Sequence, residues 1–364
     1  MMRALLIVVL IFILSACGQK VDVGKGPPVG LVRLNLNDSV RENWEKTGPR
    51  PLVTSIWYPA VEGTIMAEIG IPPYRPVFVG GHAARNAELA PSAQTYPLVV
   101  MSHGTGGAAM QMMWLGRDLA AKGYIVAAID HHGNSAAEKK FDTRAFRMPW
   151  ERTKDISAVL DLLLTDLKWA PHIDKSKIGA IGFSLGGYSV TALAGARLDF
   201  NQFMAFCKSA LRDATCEEQS EYPEAGAEFE ELLKTDTNLA SRMKEQGGDY
   251  RDDRVGAVVA LAPALAQALT IESLKGIDVP YLTIVGEADQ IAPAKTNAKR
   301  LTEHIKNSHL KLIPKSGHYI FLNKCNRRGK RFVSLCEEAK GASKALVHKQ
   351  TIDDITVFFE RYLR

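Results

Sequence analysis

Short apolar, β-branched runs recur along this chain, separated by stretches whose apolar positions repeat at helical spacing. The runs predict strands at Val29–Leu36, Leu52–Tyr58, Pro97–Met101, Tyr124–Ile129, Lys177–Phe183, Val255–Ala262, Val279–Val285 and His309–Ile313. Helices are predicted between them. In Ala108–Lys122 the residues Met112, Leu115 and Leu119 share a face, and Gly123 suits the end. Glu151–Trp169 gathers Ile156, Val159, Leu160, Leu163 and Leu167 on one side. Leu185–Ala196 and a closing helix, Ser343–Leu363, complete the pattern. Apolar strands alternating with helices imply an α/β fold, a mostly parallel central sheet with helices on both faces. The first two strands, joined by a short connection, form its antiparallel start.

Two stretches break this rhythm. Residues 63–96 read as a long connection carrying Pro72-Pro73, Pro76 and Gly80-Gly81, of the kind that rims a site. Residues 197–254 are polar and acidic, with helical pieces at Phe200–Leu211 and Glu224–Leu233. This segment reads as an inserted helical lid over the strand ends.

Composition adds limits. Of 364 residues, 46% are hydrophobic and 23% charged, enough to bury a core. A spread net charge of +5, without a basic run interleaved with aromatics, gives no reason to expect a nucleic-acid partner. The first residues say more. Met1-Met2-Arg3 is basic, and Ala4–Leu14 is an unbroken apolar run. It falls short of the roughly 20 residues that span a bilayer and fits an export signal. It ends in Leu14-Ser15-Ala16-Cys17, which resembles the lipobox of bacterial lipoproteins. That resemblance implies cleavage before Cys17, lipidation of Cys17 and a membrane anchor in the cell envelope; Gly18 favours the outer membrane, periplasmic side. The expected organisation is a signal peptide at 1–16, a Gly/Pro/Lys-rich tether at 17–28 and one domain at 29–364. Export also bears on Cys207, Cys216, Cys325 and Cys336. In an oxidising compartment they can form two local disulfides, Cys207–Cys216 and Cys325–Cys336, one of three possible connectivities. Neither pair has metal-site spacing.

The chemistry centres on Lys177–Tyr188, where an apolar run meets Gly182-Phe183-Ser184-Leu185-Gly186. A G-x-S-x-G pattern at a strand-to-helix turn holds a nucleophilic serine on a sharp elbow. Such a serine needs a histidine to take its proton and a carboxylate to orient that histidine. Later strands supply both in order. The run ending at Val285 leads into Gly286-Glu287-Ala288-Asp289, and the run ending at Ile313 leads into Ser316-Gly317-His318. Asp289 is preferred to Glu287 because it lies deeper in its loop, before Pro293; the bland alternative is a helix cap. For His318 the alternative is a loop histidine satisfied by backbone. Upstream, His103-Gly104-Thr105-Gly106-Gly107 follows a strand. Backbone N–H groups of Thr105 and Leu185 are the expected oxyanion donors. His103 is expected to fix that loop. His131 and His132, beside Asp130, point apart at a strand end and make a poor metal site.

The motifs Arg50–Ala60, Ser102–Gly107, Asp130–Gly133 and Gly182–Gly187, with Asp289 and His318, resemble the α/β-hydrolase superfamily. Within it they are similar to bacterial proteins related to platelet-activating factor acetylhydrolases and dienelactone hydrolases. Dienelactone hydrolases typically carry a cysteine nucleophile, so Ser184 favours the acetylhydrolase side. The resemblance implies a serine esterase, acting on short-chain or phospholipid-type acyl esters without metal or organic cofactor. A lactone hydrolase or peptidase on the same residues, or an inactive lipid-anchored binding protein, are the alternatives. Met110, Met112, Met113 and Trp114 either line an acyl pocket or pack as helix core. The basic stretch Lys324–Arg331 either meets anionic envelope material or is a solvated loop.

Overall fold

A computed structural model describes residues 26–336 and 342–363. The signal region and Cys17 lie outside the described residues. Among the described residues eleven strands are found: β1 Val29–Glu42, β2 Pro49–Pro59, β3 Ala67–Ile71, β4 Phe78–Arg85, β5 Tyr96–Ser102, β6 Ile125–Ile129, β7 Ile173–Phe183, β8 Val255–Leu261, β9 Tyr281–Gly286, β10 Ser308–Ile313 and β11 Lys324–Cys325.

The apolar runs of β5 to β9 are continuous because both faces of these strands are covered. Alternate residues go to opposite layers. Leu98, Val100, Ile125, Ala127, Ile178, Ala180 and Val258 join the helices Trp150–Thr165 and Leu185–Leu193 on one side. Val99, Met101, Val126, Ala128, Ile181, Val259 and Leu261 meet the helices Met113–Ala120 and Lys344–Tyr362 on the other. The order is β10-β9-β8-β7-β5-β6-β2-β1-β4-β11, with β3 beside β4. From β10 to β6 neighbouring strands are parallel, while β2 is antiparallel to both β6 and β1. This puts the ends of β5, β7, β8, β9 and β10 along one edge, where ligands bind in such sheets.

Several expectations are corrected. Residues 63–96 are not a plain connection: β3 and β4 form an antiparallel hairpin there, and β4 pairs briefly with β1. Glycines in both strands hid it, because they break the apolar alternation that marks a strand. The Lys324–Arg331 stretch is not a loop either. β11 pairs with β4, and Arg327–Phe332 is a helix capped by Asn326. The Trp150–Thr165 helix stops short of Leu167, which is 96% exposed, and Asp166 Oδ1 caps the following turn through Lys168 and Trp169 N–H. Both disulfides are present, Cys207–Cys216 and Cys325–Cys336, with Cα–Cα distances of 5.5 and 5.7 Å. Among the described residues, no helix is long and apolar enough to cross a membrane.

Buried histidines, His348, His131 and His103 among them, make stability depend on pH. His348 stacks on Trp114 at 3.7 Å between ring centroids and donates from Nε2 to the Ile320 carbonyl. Burial, with Lys344 and Lys324 nearby, pushes it down to about 3; burial and Arg152 push His131 down to about 3. Unfolded, each titrates near 6.5. Below that pH the unfolded chain binds protons that the folded chain refuses, so stability falls as pH drops from about 6.5 toward 3. Calorimetric Tm values measured across that range should decline on the acid side, and less steeply in His348→Gln than in the parent protein.

Candidate active site

Ser184 sits between β7 and the helix Leu185–Leu193 with φ 54° and ψ −117°, a conformation that costs a non-glycine residue energy. Neighbouring backbone holds it there. Its N–H donates to the Leu261 carbonyl at 2.9 Å, and its own carbonyl accepts from Gly187 and Ala264 N–H at 2.8 and 3.1 Å. The flanking glycines are required by space. A Cβ on Gly182 would run into the Gly186 carbonyl, and one on Gly186 would run into the Ser102 carbonyl.

The residues beyond β9 and β10 converge on this serine. His318 Nδ1–H donates to Asp289 Oδ2 at 2.7 Å, which leaves Nε2 to accept from Ser184 Oγ at 2.9 Å. Asp289 Oδ1 meanwhile accepts from Ile291 and Ala292 N–H at 3.0 and 2.8 Å. The cap reading of Asp289 and its histidine-orienting reading are therefore both satisfied, one by each oxygen. All three side chains are at least nine-tenths buried. Ser184 and His318 open onto a pocket of about 240 Å³ that Thr105, Leu185, Phe183 and Tyr319 also line. Its outer wall is residues 214–221 of the inserted segment, including Glu217, Glu218 and Glu221. That wall is fixed to the body through Asp213, which accepts from Thr215, Thr296 and Gln267.

The loop after β5 is held from beneath by groups the sequence reading passed over. Gly104 N–H donates to Gln111 Oε1 at 3.3 Å, Gly106 N–H to Asn134 Oδ1 at 2.8 Å, and Gly107 N–H to the Gly104 carbonyl at 3.1 Å. Arg152 donates to Asn134 Oδ1 at 3.2 Å, to Ser102 Oγ at 3.3 Å and to the His103 carbonyl. One turn along the same helix, Asp155 accepts from Arg50 Nε and Arg41 Nη2, each at 2.7 Å, and from His131 Nδ1 at 3.1 Å. His131 Nε2 in turn accepts from Ser102 Oγ at 2.9 Å. Burial opposes the charge on Asp155, but Arg50 and Arg41 prevail and hold it well below the usual carboxylate range. Arg152 and Asp155 lie on the apolar face of an amphipathic helix. Two charges on a buried stripe were the available signal.

His103 fixes the loop by donating to the Gly104 carbonyl at 2.7 Å and accepting from His131 N–H at 3.2 Å. His132 turns away, to Trp44 N–H and Glu138. Among the described residues no group of three or more His, Cys, Asp or Glu side chains is arranged around a metal site. Met112, Met113 and Trp114 are buried helix core rather than pocket wall; Met110 lines a different cavity, behind the loop.

Residues 93–324, well over half of the chain, match the family described as serine aminopeptidase, S33. The chain belongs to that family, and it is an α/β-hydrolase. Curated relatives match a shorter part. Cutinase est2 of Thermobifida alba is 33% identical over 107 residues, 29% of this chain and 32% of the relative. Platelet-activating factor acetylhydrolase of Bos taurus is 30% identical over 151 residues, 30% of this chain and 34% of the relative. The chain thus spans about a third of the length of the curated relatives it matches. Over nearly its full length the fold is that of the ferulic acid esterase from Streptomyces cinnamoneus. The TM-score is 0.61 at 22% identity, covering 94% of this chain and 93% of that one.

Removing one partner from the buried Asp155 cluster leaves charges without compensation. Asp155→Ala should lose about 3–5 kcal/mol of folding stability, measured by urea unfolding; a loss below about 1 kcal/mol would be typical of exposed pairs instead.

Proposed function

We propose that this hydrolase cleaves carboxylic esters through an acyl-enzyme on Ser184. The hydrogen-bonded chain from Ser184 through His318 to Asp289, at the floor of a pocket, carries this reading. His318 Nε2 takes the Ser184 proton as Oγ attacks the ester carbonyl, and Asp289 stabilises the imidazolium that forms. The oxyanion rests on the N–H groups of Thr105 and Leu185, both at the pocket. His318 then passes its proton to the leaving alcohol. Water, activated by the same histidine, releases the acid and restores the free serine. Residues 214–221 act as the lid that closes this pocket. The cutinase and acetylhydrolase relatives favour an ester over an amide, whereas the family's description makes a peptidase the second reading.

The export reading joins this one. We propose that Cys17 is the lipidated first residue of the mature chain, anchored in the envelope near its ester substrate. Two disulfides in the folded domain suit an oxidising compartment.

A fluorophosphonate probe should label the protein, and Ser184→Ala should abolish labelling. Asp289→Asn should keep the fold while lowering kcat on 4-nitrophenyl esters by about 10⁴-fold. Turnover of 4-nitroanilides in preference to the matching esters would move the assignment to peptidase, and absence of labelling would remove the enzyme reading. For the anchor, an alkyne-palmitate label incorporated in a Gram-negative host should be lost in Cys17→Ser.

A further inference from the structure

Behind the loop after β5 lies a second, larger space of about 520 Å³, within the size range of small-molecule sites. Its walls are mainly apolar: Leu31 from β1, Ile71 and Phe78 from the β3–β4 hairpin, Met110, Leu322 and Leu335. Ile71, Phe78 and Met110 stay half-buried there, and Leu335 is 38% exposed. The hairpin forming the outer wall is fixed rather than loose. Cys325 pairs with Phe78 in the β11–β4 ladder and is bridged to Cys336, and Asn326 donates to the Pro76 carbonyl and accepts from Gly329 N–H.

This cavity is separated from the serine pocket by one strand of backbone. Gly104 and Thr105 line the serine pocket, Gly106 and Gly107 line the cavity, and Gln111 lines both. Consecutive Cα atoms stand about 3.8 Å apart, so the two spaces are a loop's thickness from one another. Glycine keeps that loop thin. A Cβ on Gly107 would run into the Gln111 amide, and one on Gly106 would come within 2.9 Å of Glu221 Cβ. The charges sort the two spaces further. Glu217, Glu218 and Glu221 edge the serine pocket, whereas the cavity carries Arg85, together with Arg33 tied to Asp130 at 3.3 Å.

We propose that this cavity is a substrate subsite for an apolar alkyl or aryl group. The ester would lie across the loop, with its carbonyl on Ser184 and its apolar end behind Gly106 and Gly107. The preferred substrate is then a medium-chain or aryl ester rather than an acetyl ester of a small alcohol. This proposal rests on the ester-hydrolase reading for its kinetic test, though not for its binding test.

Two variants fill the cavity from different elements, β3 and the loop after β6, at residues outside the serine pocket: Ile71→Trp and the exposed Ala137→Trp. Each should lower kcat/KM for 4-nitrophenyl decanoate, or for decyl acetate if the alcohol side enters, by about tenfold or more. Turnover of 4-nitrophenyl acetate should stay within about twofold, which also reports an intact fold. In a Ser184→Ala background, calorimetric binding of sodium decanoate should be present and should weaken by a similar factor in both variants. If the parent protein turns over no ester but decanoate binds and is displaced by the tryptophans, the subsite stands and the hydrolase reading falls. Equal losses on short and long esters in both variants, unchanged long-chain turnover, or decanoate binding indifferent to both tryptophans would each overturn the subsite.

Discussion

Three pieces of backbone pass so close at the end of β7 that no side chain fits between them. Gly182 lies under the Gly186 carbonyl, and Gly186 lies under the Ser102 carbonyl. The rest of the site hangs on that contact. It forces the turn at Ser184, fixes where the Leu185 N–H points, and sets the distance between the elbow and the loop after β5. Leu261 and Ala264 clamp the serine backbone from the β8 side. A residue with positive φ persists where its surroundings over-determine it, and here three strands share that task. The positions of Asp289 and His318 then follow from β9 and β10, which extend the same parallel ladder.

A second constraint works beneath the first. The loop carrying Gly104 to Gly107 lies beyond the end of β5, outside the ladders that β5 makes with β6 and β7. Its hydrogen bonds end instead on Gln111, Asn134 and Arg152, and Arg152 belongs to a buried cluster built around Asp155. Replacing such a cluster with apolar side chains is often neutral for stability. What an apolar replacement would lose is direction: only donors and acceptors of fixed geometry can aim a glycine loop. The helix Trp150–Thr165 thus helps place the loop after β5 from its buried face, while its outer residues are ordinary surface.

How much of this was legible depended on whether the signal was local. Ser184, Asp289 and His318 each stand at the end of an apolar run, so strand prediction alone placed all three at one edge of a sheet. The charged cluster was hidden because Arg41, Arg50, His131 and Asp155 come from four separate elements, and a single chain does not display which charges will meet. The β3–β4 hairpin was missed for the opposite reason. Gly70, Gly80 and Gly81 remove the alternation by which a strand is recognised, yet Gly70 is where Pro76 packs and Gly80 is where Met113 packs. Close packing required the residues that erased the pattern. Met112, Met113 and Trp114 read more readily as helix core than as pocket, and burial bears out core.

The two excursions from the sheet differ from the core in what holds them. The helix Phe200–Lys208 buries none of its residues fully, and β11 is two residues long. Each region contains a disulfide closing a short loop, with 9 and 11 residues of separation. A crosslink of that kind removes freedom from the unfolded chain. The division is functional in its consequence. The core sets the serine, the histidine and the aspartate, and tolerates little change. The bridged excursions wall the two spaces on either side of the glycine loop, where a change of side chain alters shape without disturbing the elbow. On the reading proposed above, the reaction is fixed by the sheet, and the choice of substrate is left to the segments whose sequence pattern is weakest.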